Sequence, residues 1–378
     1  MGSHHQPDPL VLRAVRLLAI LPALGGLAGC EEPMPLPPIT WSGDHLDYGE
    51  IGEVPRLCGG TLPYLDEFVG IIQDRAQADP EERAVYYLAP EGWSSELCAG
   101  TSWGCSRGNV AFGRSAPLEH ELVHAVLHDP VGYGDRVLAE GIAEAWDPAI
   151  PRDLPFAGDI TEMLRNSSEP FDHRHYGRAG HFVSYLLAEY GTTSVFDVIA
   201  MTELDATEQQ LESAFVSVFG KDIDGITAAY AEYPECHSKV YSEAVWACTA
   251  LPSLGTIDTS RDLDIDIRLT LDCSDDVTIG SDARGLSIAA EQPHEMWQWV
   301  AFDVVETSGC FLEQAEAPSV SRIELMRCDI GCPGFYEEWI VPAVSGVDGR
   351  WLDLEPGHYV ARFVRNIDSP GWMEALCF

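Results

Sequence analysis

The chain of 378 residues carries 22 Lys and Arg against 61 Asp and Glu, a formal net charge of −39. That balance excludes nucleic acid as a partner, because phosphate binding rests on Lys and Arg releasing condensed counterions, and it excludes electrostatic docking on anionic lipid. At 46% hydrophobic and 10% aromatic residues the chain is too apolar for a disordered acidic tail, so a large buried core is expected.

Residues 1–29 read as an export leader. Arg13 and Arg16 form its positive start, Leu17 to Leu27 its apolar stretch, and Leu27-Ala28-Gly29-Cys30 its end. The tetrapeptide resembles a bacterial lipobox, which implies cleavage before Cys30 and lipidation of its thiol. The alternatives are a plain secretory signal or an uncleaved anchor, with Cys30 incidental. The apolar stretch is too short, and too broken by Pro22 and glycines, to span a bilayer. The only membrane contact expected is therefore through lipidated Cys30, at the outer membrane or cell surface rather than the inner membrane. Residues 30–40 include Glu31-Glu32-Pro33-Met34-Pro35-Leu36-Pro37-Pro38, an extended acidic tether.

Eleven cysteines are ordinary for an exported chain. Without Cys30 an even number remains: Cys58, Cys98, Cys105, Cys236, Cys248, Cys273, Cys310, Cys328, Cys332 and Cys377. Disulfides are expected among them. The local pairs Cys98–Cys105 and Cys236–Cys248 would close short loops at small entropic cost. No pair of CxxC motifs stands at structural-zinc spacing.

Residues 41–235 alternate helices with a few strands. Leu65, Phe68, Val69, Ile72 and Ala76 share one face of a helix over 62–76. Ala84 to Ala89 reads as a strand ended by Pro90, and Asn109-Val110-Ala111-Phe112 as a shorter one. Four helices follow near 177–190, 193–202, 207–219 and 222–232, with stops at Gly191 and Gly220 and a cap at Asp205 or Thr207. After Cys236 the character changes. Asp262 to Leu271 alternates polar and apolar residues, as in a half-buried antiparallel strand, and β-rich runs follow at 296–305, 322–326 and 359–364. Residues 236–255 are thus expected to connect a mixed domain to an all-β, sandwich-like domain over 256–378. Asp262, Asp264 and Asp266 look like a solvated strand face and lack calcium-loop spacing.

The most informative segment runs from Ser115 to His128. Ser115 and Pro117 mark a helix start, and Leu118, Leu122 and Val126 form an apolar stripe. His120 and His124 stand one turn apart on the same face, so both imidazoles can reach one metal. Glu121 points beside that metal and suits a base acting on the attacking water. His128 lies eight residues past His120, hence about 80° off that face, and is expected to be exposed or to stand behind the ligands. After a turn at 129–134, Asp135 to Trp146 reads as a second helix containing Glu140-Gly141-Ile142-Ala143-Glu144. Glycine inside a helix costs roughly 1 kcal/mol against alanine, so Gly141 wants a packing reason.

These segments, His-Glu-x-x-His and then Glu-Gly-x-Ala-Glu, resemble the gluzincin zinc metallopeptidases, specifically the peptidase MA-like group. The resemblance implies an α+β fold: a zincin-like, mainly helical catalytic domain with a small sheet over 41–235, followed by the all-β domain. It implies Zn²⁺ held by His120, His124 and Glu140, with Glu144 orienting a ligand histidine. Fifteen residues separate His124 from Glu140, somewhat fewer than in the best-known members, and Glu144 stands where Asp is commoner. Tyr176 to Gly191 is similar to the helix that follows the metal site. That likeness makes Tyr176 a candidate oxyanion donor, with His173, His175 and His181 as competitors. The strand with Val110 and Ala111 takes the place of the gluzincin edge that pairs with extended substrate. Leu354-Glu355-Pro356-Gly357-His358-Tyr359-Val360-Ala361 resembles, at low specificity, β-sandwich modules appended to secreted bacterial peptidases.

The expected activity is hydrolysis of a peptide or protein substrate by an envelope-anchored, monomeric zinc peptidase. Glu121 would be the base. The competing expectation is a non-catalytic zinc-binding surface lipoprotein that uses the same fold and its β-domain to hold a partner.

Overall fold

The computed structural model describes residues 36–90, 98, 104–148, 158–167, 172–236, 238–258, 265–269, 271–282, 295–315, 321–328, 332, 336–341, 350–366 and 372–377. The expected leader, Cys30 and most of the tether lie outside the described residues. The fold is α+β, with helices gathered on an N-terminal sheet and two further sheets after them.

The first sheet has the order β1 (Ile39–Ser42), β2 (Leu46–Glu50), β4 (Ala84–Leu88), β6 (Val110–Gly113), β5 (Gly104–Arg107). Strands β2, β4 and β6 run parallel, while β1 and β5 are antiparallel to their neighbours. Helix α1 (Thr61–Ala76) makes the crossover from β2 to β4 and buries Leu65, Phe68, Val69 and Ile72, the apolar face read from their spacing. Helix α2 (Glu119–Leu127) packs on α1 and on β4, β5 and β6. Helix α3 (Arg136–Trp146) packs between α2 and the long helix α5 (Tyr176–Ala200), with the short α4 (Ile160–Arg165) before α5.

Sequence punctuation is honoured closely through the next elements. Gly191 breaks the helical backbone inside α5 with φ 78° and ψ 161°, values a residue with a side chain rarely adopts. Thr207 and Gln210 form a reciprocal capping box on α6 (Glu208–Phe219), and Gly220 ends it in the left-handed region. Asp222 caps α7 (Ile223–Tyr230). The segment 236–255, expected as a connection, contains helix α8 (Ser238–Ala250), which packs on α1, α3 and α5.

The second sheet has the order β13 (Tyr336–Val341), β12 (Ser321–Arg327), β15 (Gly357–Asn366), β10 (Glu295–Val304), β9 (Ile279–Asp282), β3 (Arg56–Leu57). Strand β7 (Ser253–Ile257) adds to it parallel to β10. The third has the order β14 (Arg350–Leu354), β11 (Ser308–Ala315), β16 (Trp372–Cys377), β8 (Ile265–Leu269). Between these sheets lies a core of Phe302, Ile323, Leu325, Tyr359, Ala361 and Phe363 with Ile267, Leu352 and Leu354. Alternation then sends Trp297, Ala301, Met326, Val360 and Val364 to the opposite face, where they join the core of the helices. Strands β10, β12 and β15 of the second sheet are buried on both faces, and residues 37–378 belong to one compact unit.

Covalent and polar ties reinforce that junction. Strand β3, just before α1, is itself a member of the second sheet. Cys58 is bonded to Cys273, 215 residues away, and the buried Thr61 hydroxyl donates to the Gly280 carbonyl at 2.7 Å. Cys98–Cys105 forms as its spacing predicts. Cys236–Cys248 does not: Cys236 joins Cys332 and Cys248 joins Cys328. The intervening α8 holds residues 238 and 248 about 15 Å apart along its axis, beyond the reach of a disulfide. Cys310 is disulfide-bonded too, and its register partner across β11 and β16 is Cys377. Bonds of this number persist in an oxidising compartment. Among the described residues, no helix is long and apolar enough to cross a membrane.

Because Cys58–Cys273 closes a very long loop, its removal frees much unfolded-state entropy. The double variant Cys58→Ser, Cys273→Ser should lose about 2–4 kcal/mol of unfolding free energy, measured by non-reducing urea denaturation.

Candidate metal centre

Helix α2 is pinned by Leu122, Val123, Ala125, Val126 and Leu127, all buried. It begins at Glu119, later than Ser115 and Pro117 suggested, with Leu118 at its cap position and no side-chain cap. Glu119 and Glu121 in its first turn suit the positive end of the helix dipole. One turn apart, His120 and His124 bring their rings to a centroid separation of 5.0 Å at 76°.

Helix α3 is anchored by Asp135, whose carboxylate caps the Val137 and Leu138 amides. The Asp135 amide in turn donates to Thr202, just past the end of α5, at 2.9 Å. So placed, α3 directs Glu140 at both histidines. Its Oε2 stands 3.2 Å from His120 Nε2 and 3.5 Å from His124 Nε2. The ligand atoms of the three residues all lie within 4.8 Å of one another. Gly141 has its packing reason: a Cβ there would stand 2.5 Å from Val183 and 2.8 Å from the Ala179 carbonyl of α5.

The surrounding residues shape the charge of the centre. Glu144 is buried, and its Oε2 lies 3.8 Å from His120 Nδ1, in ion-pair range but longer than a hydrogen bond. It fits because α5 has a glycine opposite: a Cβ on Gly180 would stand 2.7 Å from Glu144 Cγ. Burial opposes protonation of His120, but the hydrogen bond to Glu140 and the charges of Glu121, Glu140 and Glu144 outweigh it and raise the imidazole to about 10. Glu140 is held well below the usual carboxylate range, its burial outweighed by hydrogen bonds from both histidines. Burial raises the Glu121 carboxyl.

Two imidazoles and a carboxylate, crowded by further carboxylates, are a donor set suited to a borderline divalent cation. The cation would replace the proton that holds the cluster together. A second group, His181 with Cys236 and Cys332, also lies within ligand distance. It does not suit a metal, since the two sulfurs are bonded to each other and no thiolate is left.

Tyr176, the first residue of α5, lies on the centre. Its ring stacks on His120 at 5.5 Å and 2°, and its hydroxyl hydrogen-bonds Glu140; burial, that bond and the nearby carboxylates raise the phenol pKa. Its rivals are placed elsewhere or not described. His181 is buried with Nδ1 2.7 Å from the Tyr230 hydroxyl and Nε2 3.1 Å from the Pro234 carbonyl. His175 packs beside Gly158, and the side chain of His173 is outside the described residues. His128 pairs with Asp129 at 2.7 Å and meets the edge of Tyr133, away from the ligand group as its helical angle predicts.

Val110 and Ala111 require a correction. Strand β6 is bonded to β4 on one side and to β5 on the other, so neither residue stands at an edge. The turn at 108–109 folds β5 back outside β6, and β5 ends the sheet on this side. Spacing along the chain carries no sign of which hairpin strand lies outermost. At the start of β5, a Cβ on Gly104 would stand 2.6 Å from Leu118 and 2.8 Å from Glu121 Cγ, so the outer strand abuts the base candidate.

Glu119 also escapes the motif reading. It is fully buried and accepts a hydrogen bond from Tyr64 at 2.6 Å; burial, then the Asp147 charge, raise its carboxyl against that bond. A signal was present, since Glu119 shares the helical face of Leu122, Val123 and Val126.

No protein-family model matches the chain, and no curated protein matches it. Among solved structures, one similar chain is the isomalto-dextranase of Arthrobacter globiformis T6 complexed with panose, at 11% identity and TM-score 0.15, covering 22% of this chain and 16% of that one. Another is a family GH115 4-O-methyl-α-glucuronidase with specificity for decorated arabinogalactans, at 12% identity and TM-score 0.17, covering 68% and 41%. This chain therefore spans less than half the length of either.

The contact at Gly141 makes a direct test. Gly141→Val should overpack the helix pair by about 1–3 kcal/mol and move Glu140 off the histidines. Weaker retention of metal in equilibrium dialysis, with the disulfides intact, is the expected result.

Proposed function

We propose that the chain is an exported zinc peptidase of the gluzincin type, tethered to the envelope through Cys30. The observation that carries this reading is the convergence of His120, His124 and Glu140 from two helices, with Glu121 beside them. When bound, zinc supplies Lewis-acid polarisation of the scissile carbonyl and eases ionisation of water. Glu121 takes the proton of the attacking water and passes it to the leaving amine. Tyr176, stacked on His120, exchanges its hydrogen bond to Glu140 for one to the oxyanion. Glu144 keeps His120 oriented from its other ring nitrogen.

The arrangement of α1, the first sheet and the two ligand helices supports a zincin-like catalytic region. Substrate binds extended along the outer side of β5, which ends its sheet and begins against Glu121. That geometry selects peptide over compact ligands, because an extended main chain can satisfy a strand edge. The disulfides support export, and the Leu27-Ala28-Gly29-Cys30 segment supports lipid anchoring.

Purified protein should contain one zinc per chain and cleave a mixed peptide library. Glu121→Gln should keep the zinc and lose cleavage by about 10²–10⁴-fold. Metal-free protein would exclude the centre. Equal cleavage by the variant would exclude Glu121 as base, and bound zinc with no turnover in the natural chain would favour the non-catalytic lipoprotein. In the producing bacterium, Cys30→Ser should shift the chain from the membrane fraction to the soluble one.

A further inference from the structure

The face of the second sheet that meets the helices carries charge as well as apolar side chains. Arg322, Glu324 and Arg362 are buried there on β12 and β15, with Trp297 and Trp299 on β10. Arg322 Nε donates to Glu324 at 2.6 Å, and Arg362 Nη1 stands 3.5 Å from the other Glu324 oxygen. Only 1% of Arg362 is exposed, and its guanidinium lies 4.3 Å over the Trp297 ring and 5.4 Å over that of Trp299. Its Nη1 also stands 3.5 Å from the carbonyl of Pro148, two residues past the end of α3.

A second route joins this face to α2. Trp299 meets Trp246 of α8 at 6.1 Å, and Trp246 meets the edge of Tyr64 at 4.6 Å. The Tyr64 hydroxyl donates to Glu119, which directly precedes the ligand His120. Each of the two helices thus has a buried carboxylate at one end: Glu119 at the start of α2, and Asp147 just past α3. Their charges act on each other, and that of Arg362 acts on Glu119 in the opposite sense.

We infer that Arg362 is a positioning residue of the metal centre: it holds the end of α3 through the Pro148 carbonyl, as the Tyr64 hydroxyl holds Glu119 at the start of α2, so that His120 and Glu140 converge. The β-rich part is then a structural half of the centre and not an appendage to it. This inference rests on the metal-centre reading above, and metal affinity tests the two separately. Zinc dissociation constants would be measured by competition with a chromophoric chelator on the full chain, with near-ultraviolet circular dichroism as the check on folding. Arg362→Met should weaken zinc at least tenfold, while Arg362→Lys stays within about threefold of the natural chain. Should Arg362→Met fail to fold, Tyr64→Phe removes only the donated hydrogen bond and should weaken zinc about fivefold. Zinc bound equally by the natural chain and by Arg362→Met, or by Tyr64→Phe in its stead, would overturn the inference alone; so would an Arg362→Lys variant no better than Arg362→Met. A natural chain that binds no zinc would overturn the metal-centre reading and this inference with it.

Discussion

Helix α3 meets α5 at a distance that leaves no room for a side chain at Gly141, where the Ala179 carbonyl stands in the way, or at Gly180, where Glu144 does. Close-packed interiors do not yield to such clashes without shifting whole elements. That contact sets the height and rotation of α3, and with them the position of Glu140 3.2 Å from His120. Tyr176 belongs to the same arrangement, since α5 starts at this residue and its ring stacks on His120. Glu140, its buried neighbour Glu144 and Tyr176 therefore depend on one helix pair.

The second constraint is electrostatic. A chain of net charge −39 can place many acids in solvent, yet Glu119, Glu144, Asp147 and Glu324 are all buried. Glu119, Glu144 and Glu324 each stand next to a partner: a tyrosine hydroxyl for Glu119, an imidazole for Glu144, and guanidinium groups for Glu324. Such groups add little net stability, because desolvation offsets the attraction. Their value lies in direction, since each partner has a fixed geometry that the helix ends must meet.

The second sheet supplies part of that geometry by being buried twice. Tyr359, Ala361 and Phe363 fill the space against the third sheet, and Val360, Arg362 and Val364 turn to the helices. The same strand thereby serves two cores. Strand β3, the Cys58–Cys273 bond and the Thr61–Gly280 hydrogen bond carry the join to the start of α1.

Much of this was legible in the residues themselves, because local spacing has local consequences. His120 and His124 share a face by helical periodicity, Gly191 and Gly220 mark interruptions only glycine accommodates easily, and Thr207 with Gln210 is a capping pair. The Asp262 to Leu271 alternation foretold the strand at 265–269, whose Ile265, Ile267 and Leu269 line the inter-sheet core. Other features depend on residues far apart in the chain. Cysteine spacing could not reveal that Cys236 and Cys248 pair with Cys332 and Cys328 and not with each other, nor could the run at 109–112 show that β5 folds outside it. By itself the sequence determined the helix that offers two imidazoles and the segment that offers Glu140. The tertiary structure alone decided that Arg362, over 200 residues downstream, reaches the carbonyl of Pro148 just past α3. Periodicity reaches only a few turns, whereas a contact between a strand and a distant helix arises when both bury their faces in one core.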